Sequence, residues 1–198
     1  MNDFLARLRG DLCRFRHRFN PNIRIGAGLR LYCRLEFWGA GRVVIGNNCV
    51  MRGIPGEGRK WNMLHTMDKD ALIEIGDRAQ LAGTRITAKF AVHIGNDALL
   101  EETVIIDTDF HSILPDRTVS EETLARCGIH IGDRAAVGAR TMITKGLTIG
   151  PDVMLLPGSI VTKNIPALSI AGGNPAKVMR QRENIAADIV ALHAVAAE

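Results

Sequence analysis

Aliphatic residues recur every six positions through the C-terminal half of this chain: Ile131, Val137, Ile143, Ile149, Leu155 and Val161. Leu, Ile and Val together fill roughly a quarter of the sequence, so six in one register arise by chance about once in several thousand trials. Gly132, Gly138 and Gly150 each follow their aliphatic residue. Ala135, Thr141, Leu147, Val153 and Ser159, mostly small or β-branched, stand two residues ahead of the next one. A period of six fits neither a helix nor a simple alternating strand. It fits a short strand followed by a sharp turn, with the aliphatic side chain inside a narrow prism and Gly relieving the turn. Three such sides close one coil of a triangular helix, and each coil buries its aliphatic residues only by stacking on its neighbours.

The pattern recurs upstream with breaks. Ile94, Leu100 and Ile106 are spaced by six, as are the pairs Ile75 and Leu81, Ile45 and Met51, and Ile25 and Leu31. An Ile-Gly dipeptide opens many of these units, at Ile25, Ile45, Ile75, Ile94, Ile131 and Ile149. The repeat therefore predicts a coil domain over 23–166, with loop insertions at 52–72 and 113–128. Loops leaving a rigid scaffold are where binding groups usually sit. Residues 1–22 form an N-terminal segment whose stretch 3–19 reads as an amphipathic helix. Residues 167–198 form a C-terminal tail, and 176–196 read as a second helix with Asn174 as N-cap and Pro175 in the first turn.

Low aromatic content (5%) and 20 glycines suit many tight turns better than a helical bundle. Four widely spaced cysteines, Cys13, Cys33, Cys49 and Cys127, read as reduced thiols of a cytoplasmic protein. Arg interrupts the opening apolar run throughout, which excludes it as a signal-peptide core or membrane span. The net charge of +4 is concentrated near the N-terminus, in Arg7, Arg9, Arg14, Arg16, Arg18, Arg24 and Arg30. Such a segment either presents a solvated face or meets anionic lipid, nucleic acid or an acidic partner. No nucleic-acid partner is expected. The N-terminal helix either caps the open end of the coil or makes a weak peripheral membrane contact.

The stretch from Ile131 to Arg180 closely resembles the hexapeptide-repeat acyltransferases, the galactoside, maltose, nodulation-factor and surface-polysaccharide O-acetyltransferases among them. The residues that carry the resemblance are IGDRAAVGARTMITKGLTIGPDVMLLPGSIVTKNIP followed by AGGNPAKVMR. The V-T-K-x-I-P and G-N-P-A-K-V-M-R runs are specific together, whereas the repeat alone indicates only the fold. The resemblance implies a left-handed parallel β-helix, an exception to the right-handed crossover rule. It also implies a homotrimer, with acetyl-CoA or another acyl-CoA between neighbouring prisms and a sugar or polysaccharide hydroxyl as acceptor.

The resemblance places the catalytic base at His111, in I-I-D-T-D-F-H-S, seventeen residues after Ile94 where the chain leaves the repeat. Asp107, Asp109 and His111 alternate, so in extended chain they would face one way. A carboxylate beside an imidazole fixes its tautomer and raises its basicity, the role assigned to Asp109. The imidazole would take the acceptor's proton as its oxygen attacks the thioester. For the coenzyme, the resemblance points to Lys163, Lys177 and Arg180 near the phosphates, and to backbone groups of Gly158, Ser159 and Thr162 along the pantetheine arm. No metal is expected. A D-x-D-x-H metal site, a zinc carbonic anhydrase-like enzyme, against which the wide spacing of His93, His111 and His130 speaks, and a non-catalytic trimeric scaffold are the alternatives.

The sequence also departs from the family. Many members carry Trp where Ala136 stands, in a V-W-I-G run; Trp61 and Phe110 are the candidates to replace it. His93 and His130 precede Ile-Gly units and belong to coil faces, His17 and His193 to the terminal helices. His65, in the first insertion, is a candidate acceptor contact.

Overall fold

The computed structural model describes residues 2–54, 61–109 and 127–181. Six successive coils each contribute one strand to each of three parallel sheets. Coil 1 comprises β1 (Ile23–Ile25), β2 (Arg30–Leu31) and β3 (Leu35–Gly39). Coil 2 comprises β4 (Arg42–Ile45), β5 (Val50–Arg52) and β6 (Asn62–Thr66). Coil 3 comprises β7 (Leu72–Ile75), β8 (Gln80–Ala82) and β9 (Arg85–Ala88). Coil 4 comprises β10 (Ala91–Ile94), β11 (Leu99–Glu101) and β12 (Val104–Ile106). Coil 5 comprises β13 (Ile129–Ile131), β14 (Ala136–Val137) and β15 (Met142–Ile143). Coil 6 comprises β16 (Thr148–Ile149), β17 (Met154–Leu155) and β18 (Ile160–Val161). The second sheet ends with β19 (Ser169–Gly173) and β20 (Ala176–Gln181).

The predicted aliphatic residues line the interior: Ile45, Met51, Ile75, Leu81, Ile94, Leu100, Ile131, Val137, Ile143, Ile149, Leu155 and Val161 are all buried. The corners hold them in register. At the corner between first and second sheets, the side-chain oxygens of Asn47, Asp77, Asn96 and Asp133 each accept the backbone N–H of the coil before, at 2.7–2.9 Å. Bidentate pairs at 2.7 Å join Arg78 to Asp97 and Arg134 to Asp152 along the same corner. At the corner between second and third sheets, Thr84, Thr103, Thr141 and Ser159 form a column of buried hydroxyls bonded to backbone carbonyls.

Three expectations change. Asn62–Thr66, assigned to the first insertion, is a coil side with Leu64 buried inside. Leu64 lies thirteen residues after Met51, so the six-residue register hides it. Asn62 also belongs to the corner: its Oδ1 accepts the Thr84 N–H at 2.9 Å and its Nδ2 donates to the Arg52 and Leu81 carbonyls. Second, the buried residue of β12 is Ile105, paired with Ile86 and Ile143; Ile106 is half-buried. The corner is one residue shorter in coils 3 and 4, where Gly83 and Glu102 turn with φ of 62° and 42°. Third, 176–181 is not helix but β20, antiparallel to β19. Bonding to β19 satisfies its backbone, whereas a helix starting there would leave that edge open. The rest of the expected C-terminal helix lies outside the described residues, as does 113–126.

The N-terminal helix forms as predicted, as α1 (Asp3–His17), and covers coil 1 at β1 and β2. The Asn2 side chain accepts the Phe4 N–H, and Arg14, Arg16 and His17 occupy the last turn, both favourable to the helix dipole. Arg14 Nε donates to the Ile25 carbonyl at 3.2 Å, Tyr32 donates to Asp3 at 2.5 Å, and His17 meets Phe37 edge-on. Among the described residues, no helix is long and apolar enough to cross a membrane. A Cβ on Gly10 would lie 1.8 Å from the Leu29 carbonyl oxygen. Gly10→Ala should therefore push α1 off the coil end and cost about 1–3 kcal/mol. A lower Tm, with faster hydrogen exchange in α1 and unchanged exchange in coils 3–6, is the expected result.

Candidate active site

The corner between third and first sheets is where the chain leaves coil 4, after Asp107-Thr108-Asp109, and returns to coil 5 at Cys127-Gly128. His111 and Phe110 lie outside the described residues; the roots of the excursion are described. Asp107 is fully buried and accepts the Lys89 and Phe90 N–H groups, at 2.7 and 2.8 Å, from the same corner of coil 3. Burial pushes its carboxyl up despite those bonds. Asp109 is exposed and reaches the other way, pairing with Lys145 at the same corner of coil 5. The two carboxylates therefore do not share a face, because neighbouring coils claim them in opposite directions. The Asp109 carboxylate holds the Lys145 ammonium above its usual pKa. Cys127 accepts the Gly146 N–H at 2.8 Å through its carbonyl, so both roots are tied to the Lys145-Gly146 turn. Burial raises the Cys127 thiol above its ordinary value, which disfavours the thiolate.

Lys145 is a residue the sequence reading missed. Its signal was present: Thr144-Lys145 precedes Thr162-Lys163 by eighteen residues, one whole coil. Thr144 bonds the Val161 carbonyl through both its N–H (3.3 Å) and its hydroxyl (3.0 Å), and the two dipeptides sit at the same corner of successive coils. Thr162 and Lys163 are exposed there.

The remaining coenzyme candidates lie elsewhere. Ser159 is buried in the hydroxyl column, its Oγ 2.5 Å from the Leu156 carbonyl and its own carbonyl taken by the Met142 N–H. Gly158, at the same corner, turns with φ of 72°, donates its N–H to Ala139, and has open space where a Cβ would be. Lys177 and Arg180 are exposed on β20, opposite Gly172 and Ile170 at the edge of the second sheet. One chain thus distributes the set over two corners and a sheet edge rather than gathering it around one cleft.

Ala136 faces outward on the second sheet between Leu99 and Met154. Trp61 stands three coils away, about 14 Å along the prism at one strand spacing per coil, so within one chain it does not replace the absent Trp. Trp61 and Trp38 instead bond Glu36, which also pairs with Arg34 at 2.8 Å and is held below its usual carboxylate range. His65 lies on the third sheet opposite Trp38 and Thr87. On the first sheet, Glu74, His93 and His130 are in register: His93 Nδ1 is 2.9 Å from Glu74 Oε2, and the two imidazoles stack at 4.7 Å. Among the described residues no three His, Cys, Asp or Glu side chains are grouped to hold a metal ion.

A mutant of AntD, an N-acyltransferase from Bacillus cereus, solved with dTDP-4-amino-4,6-dideoxyglucose and coenzyme A, superposes with a TM-score of 0.64. It is 14% identical and covers 92% of this chain and 96% of its own. A hexapeptide-repeat-containing acetyltransferase of Vibrio cholerae O1 biovar eltor, solved with acetyl coenzyme A, gives 0.54 at 16% identity over 91% and 89%. The chain has the fold of the hexapeptide-repeat acyltransferases. It is a left-handed parallel β-helix. No family model matches the sequence. The galactoside O-acetyltransferase of Escherichia coli (strain K12) is 31% identical over 96 residues, 48% of this chain and 47% of that protein. Serine acetyltransferase 2 of Arabidopsis thaliana is 30% identical over 115 residues, 50% of this chain and 36% of that protein. The chain spans less than half the length of the curated relatives it matches.

The stacked pair makes stability pH-dependent. Burial first, and His93 second, lower the His130 pKa below 6.5. The unfolded state then takes up the proton first, so stability is full above about pH 6.5 and declines as pH falls toward the folded value. His130→Asn should flatten the decline in urea midpoint between about pH 7 and 5.5.

Proposed function

We propose that the chain is an acyl-CoA-dependent O-acyltransferase that moves an acetyl group onto a sugar or polysaccharide hydroxyl, with His111 as general base. The observation that carries this reading is the anchored excursion: a rigid corner, tied by Asp107 below and by the Asp109–Lys145 pair above, releases the chain two residues before His111. The fold likeness to acyltransferases holding coenzyme A and the galactoside O-acetyltransferase match support the reaction class. In the proposed step, the imidazole removes the hydroxyl proton while the oxygen attacks the thioester carbonyl. Backbone N–H groups would hold the oxyanion. The C–S bond then breaks, and the coenzyme thiolate recovers the proton from the imidazolium. Asp109, engaged by Lys145, positions the root of the excursion.

Thr162, Lys163, Lys177 and Arg180 are proposed to hold the coenzyme, the cations meeting its phosphates. Their separation over one prism supports a groove completed by a second chain, and hence a homotrimer. Light scattering should return about three times the 21.6 kDa chain mass; an active monomer would contradict the shared groove.

Coenzyme A release over a panel of sugars and nucleotide sugars tests the chemistry. His111→Ala should fold, bind acyl-CoA and lose about 10²–10⁴-fold in kcat. Asp109→Asn should lose less. Near-normal turnover in His111→Ala with an identified acceptor would overturn the general-base role. Lys163→Ala and Arg180→Ala should each raise the acyl-CoA KM by about tenfold with a smaller change in kcat, as for contacts made equally in ground and transition states.

A further inference from the structure

The two sides of α1 are of opposite character. At 100° per residue, Ala6, Gly10, Cys13 and His17 fall on one side, and Phe4, Leu8, Leu12 and Phe15 on the other, with Leu5 at its margin and Phe19 just past the helix end. The coil takes the small residues: Ala6 and Gly10 are buried, Cys13 and His17 half-buried. The large ones face away. Leu5 is 48% exposed, Leu8 55%, Phe15 60%, Leu12 65%, Phe4 69% and Phe19 83%. A helix that buries Ala and Gly while presenting Phe and Leu to solvent inverts the ordinary arrangement. Capping the coil therefore accounts for one face and leaves an apolar stripe about 17 Å long on the helix.

The border of that stripe is basic. Arg9 and Arg16 follow one edge; Arg7 and Arg18 follow the other, with Asp11 the acidic residue among them. The Arg18 guanidinium lies 4.4 Å and 4.3 Å over the rings of Phe15 and Phe19, so charge and apolar surface end at the same place. Asp3 accepts from Tyr32 of the coil and pairs with Arg7 at 2.9 Å, which partly offsets that edge.

We propose that α1 docks this face on an anionic lipid surface, with its aromatic and leucine side chains in the acyl boundary and its arginines among the headgroups. The charge border selects this occupant. A second copy of the face would set arginine against arginine, with Asp11 and the Arg7-paired Asp3 to offset four of them; anionic headgroups match both borders at once. Because α1 covers the end of the prism, the docked chain stands with its coil axis away from the membrane. The inference does not depend on the chemistry proposed above.

Co-sedimentation of the full chain with vesicles of phosphatidylcholine containing about 30 mol% phosphatidylglycerol tests it. The wild type should bind these vesicles, bind phosphatidylcholine alone weakly, and release at high salt. Leu8→Glu with Leu12→Glu should keep the wild-type Tm and lose binding at least about tenfold. Arg9→Glu with Arg16→Glu should lose binding to the anionic vesicles. A wild type that stays in the supernatant, or a Leu8/Leu12 variant that binds as well as wild type, would overturn the proposal. So would a Leu8/Leu12 variant that lowers the oligomeric mass while the wild type ignores vesicles, since the face would then join copies of the chain.

Discussion

Everything in this molecule depends on burying one aliphatic residue per coil side between the coils above and below. No coil has a core of its own: Ile86, Leu100, Ile105 and Ile143 are fully buried because neighbours cover them on both axial sides. Such stacking fixes spacing along the prism but leaves rotation about it to the corners. The side-chain ladder of Asn47, Asp77, Asn96 and Asp133 and the hydroxyls of Thr84 and Thr141 supply that constraint through directional hydrogen bonds to the backbone of an adjacent coil, while those of Thr103 and Ser159 brace their own corners. Function is thereby confined to what the corners release and what the outer faces present.

The fold was legible because the repeat is itself the packing rule. From Ile131 to Val161 the corner lengths are uniform, and the sequence register matches the buried register residue for residue. Upstream it slips where the corners shorten: Leu81 to Ile86 and Leu100 to Ile105 are five residues apart. A period of six then passes over Ile86 and selects Ile106 in place of Ile105. Leu64 was hidden for the opposite reason, a longer connection before it. The strand β20 was misread because Asn174-Pro175 resembles a helix start, whereas an open sheet edge beside it favours pairing.

The site was legible in part. The resemblance put the proposed base, His111, two residues beyond Asp109, itself at the corner between coils 4 and 5. Alternation, however, placed Asp107 and Asp109 together, although each is bonded by a different coil. Contacts between coils join residues about eighteen apart, so a reading of near neighbours misses them, and Lys145 was missed for that reason. At Ser159 the hydroxyl completes a structural column, so what the position could offer a coenzyme is backbone rather than side chain. The distinction lies in which way a side chain points from a corner, and that depends on corner length rather than residue identity.

The ladder at the first corner alternates amide and carboxylate, Asn47, Asp77, Asn96, Asp133, and this sets a rule of succession for how such a chain can lengthen or shorten. Excising coil 3 would leave Asn47 beside Asn96, two neutral groups that stack in register. Excising coil 4 would set Asp77 against Asp133 at one strand spacing, where two carboxylates repel and neither side chain has a donor to offer the other. Duplicating an Asn-bearing coil is tolerated on the same grounds, and duplicating an Asp-bearing coil is not. Growth by whole coils is therefore not uniform along the prism. Coil 4, which releases the excursion, is also one whose removal the ladder opposes.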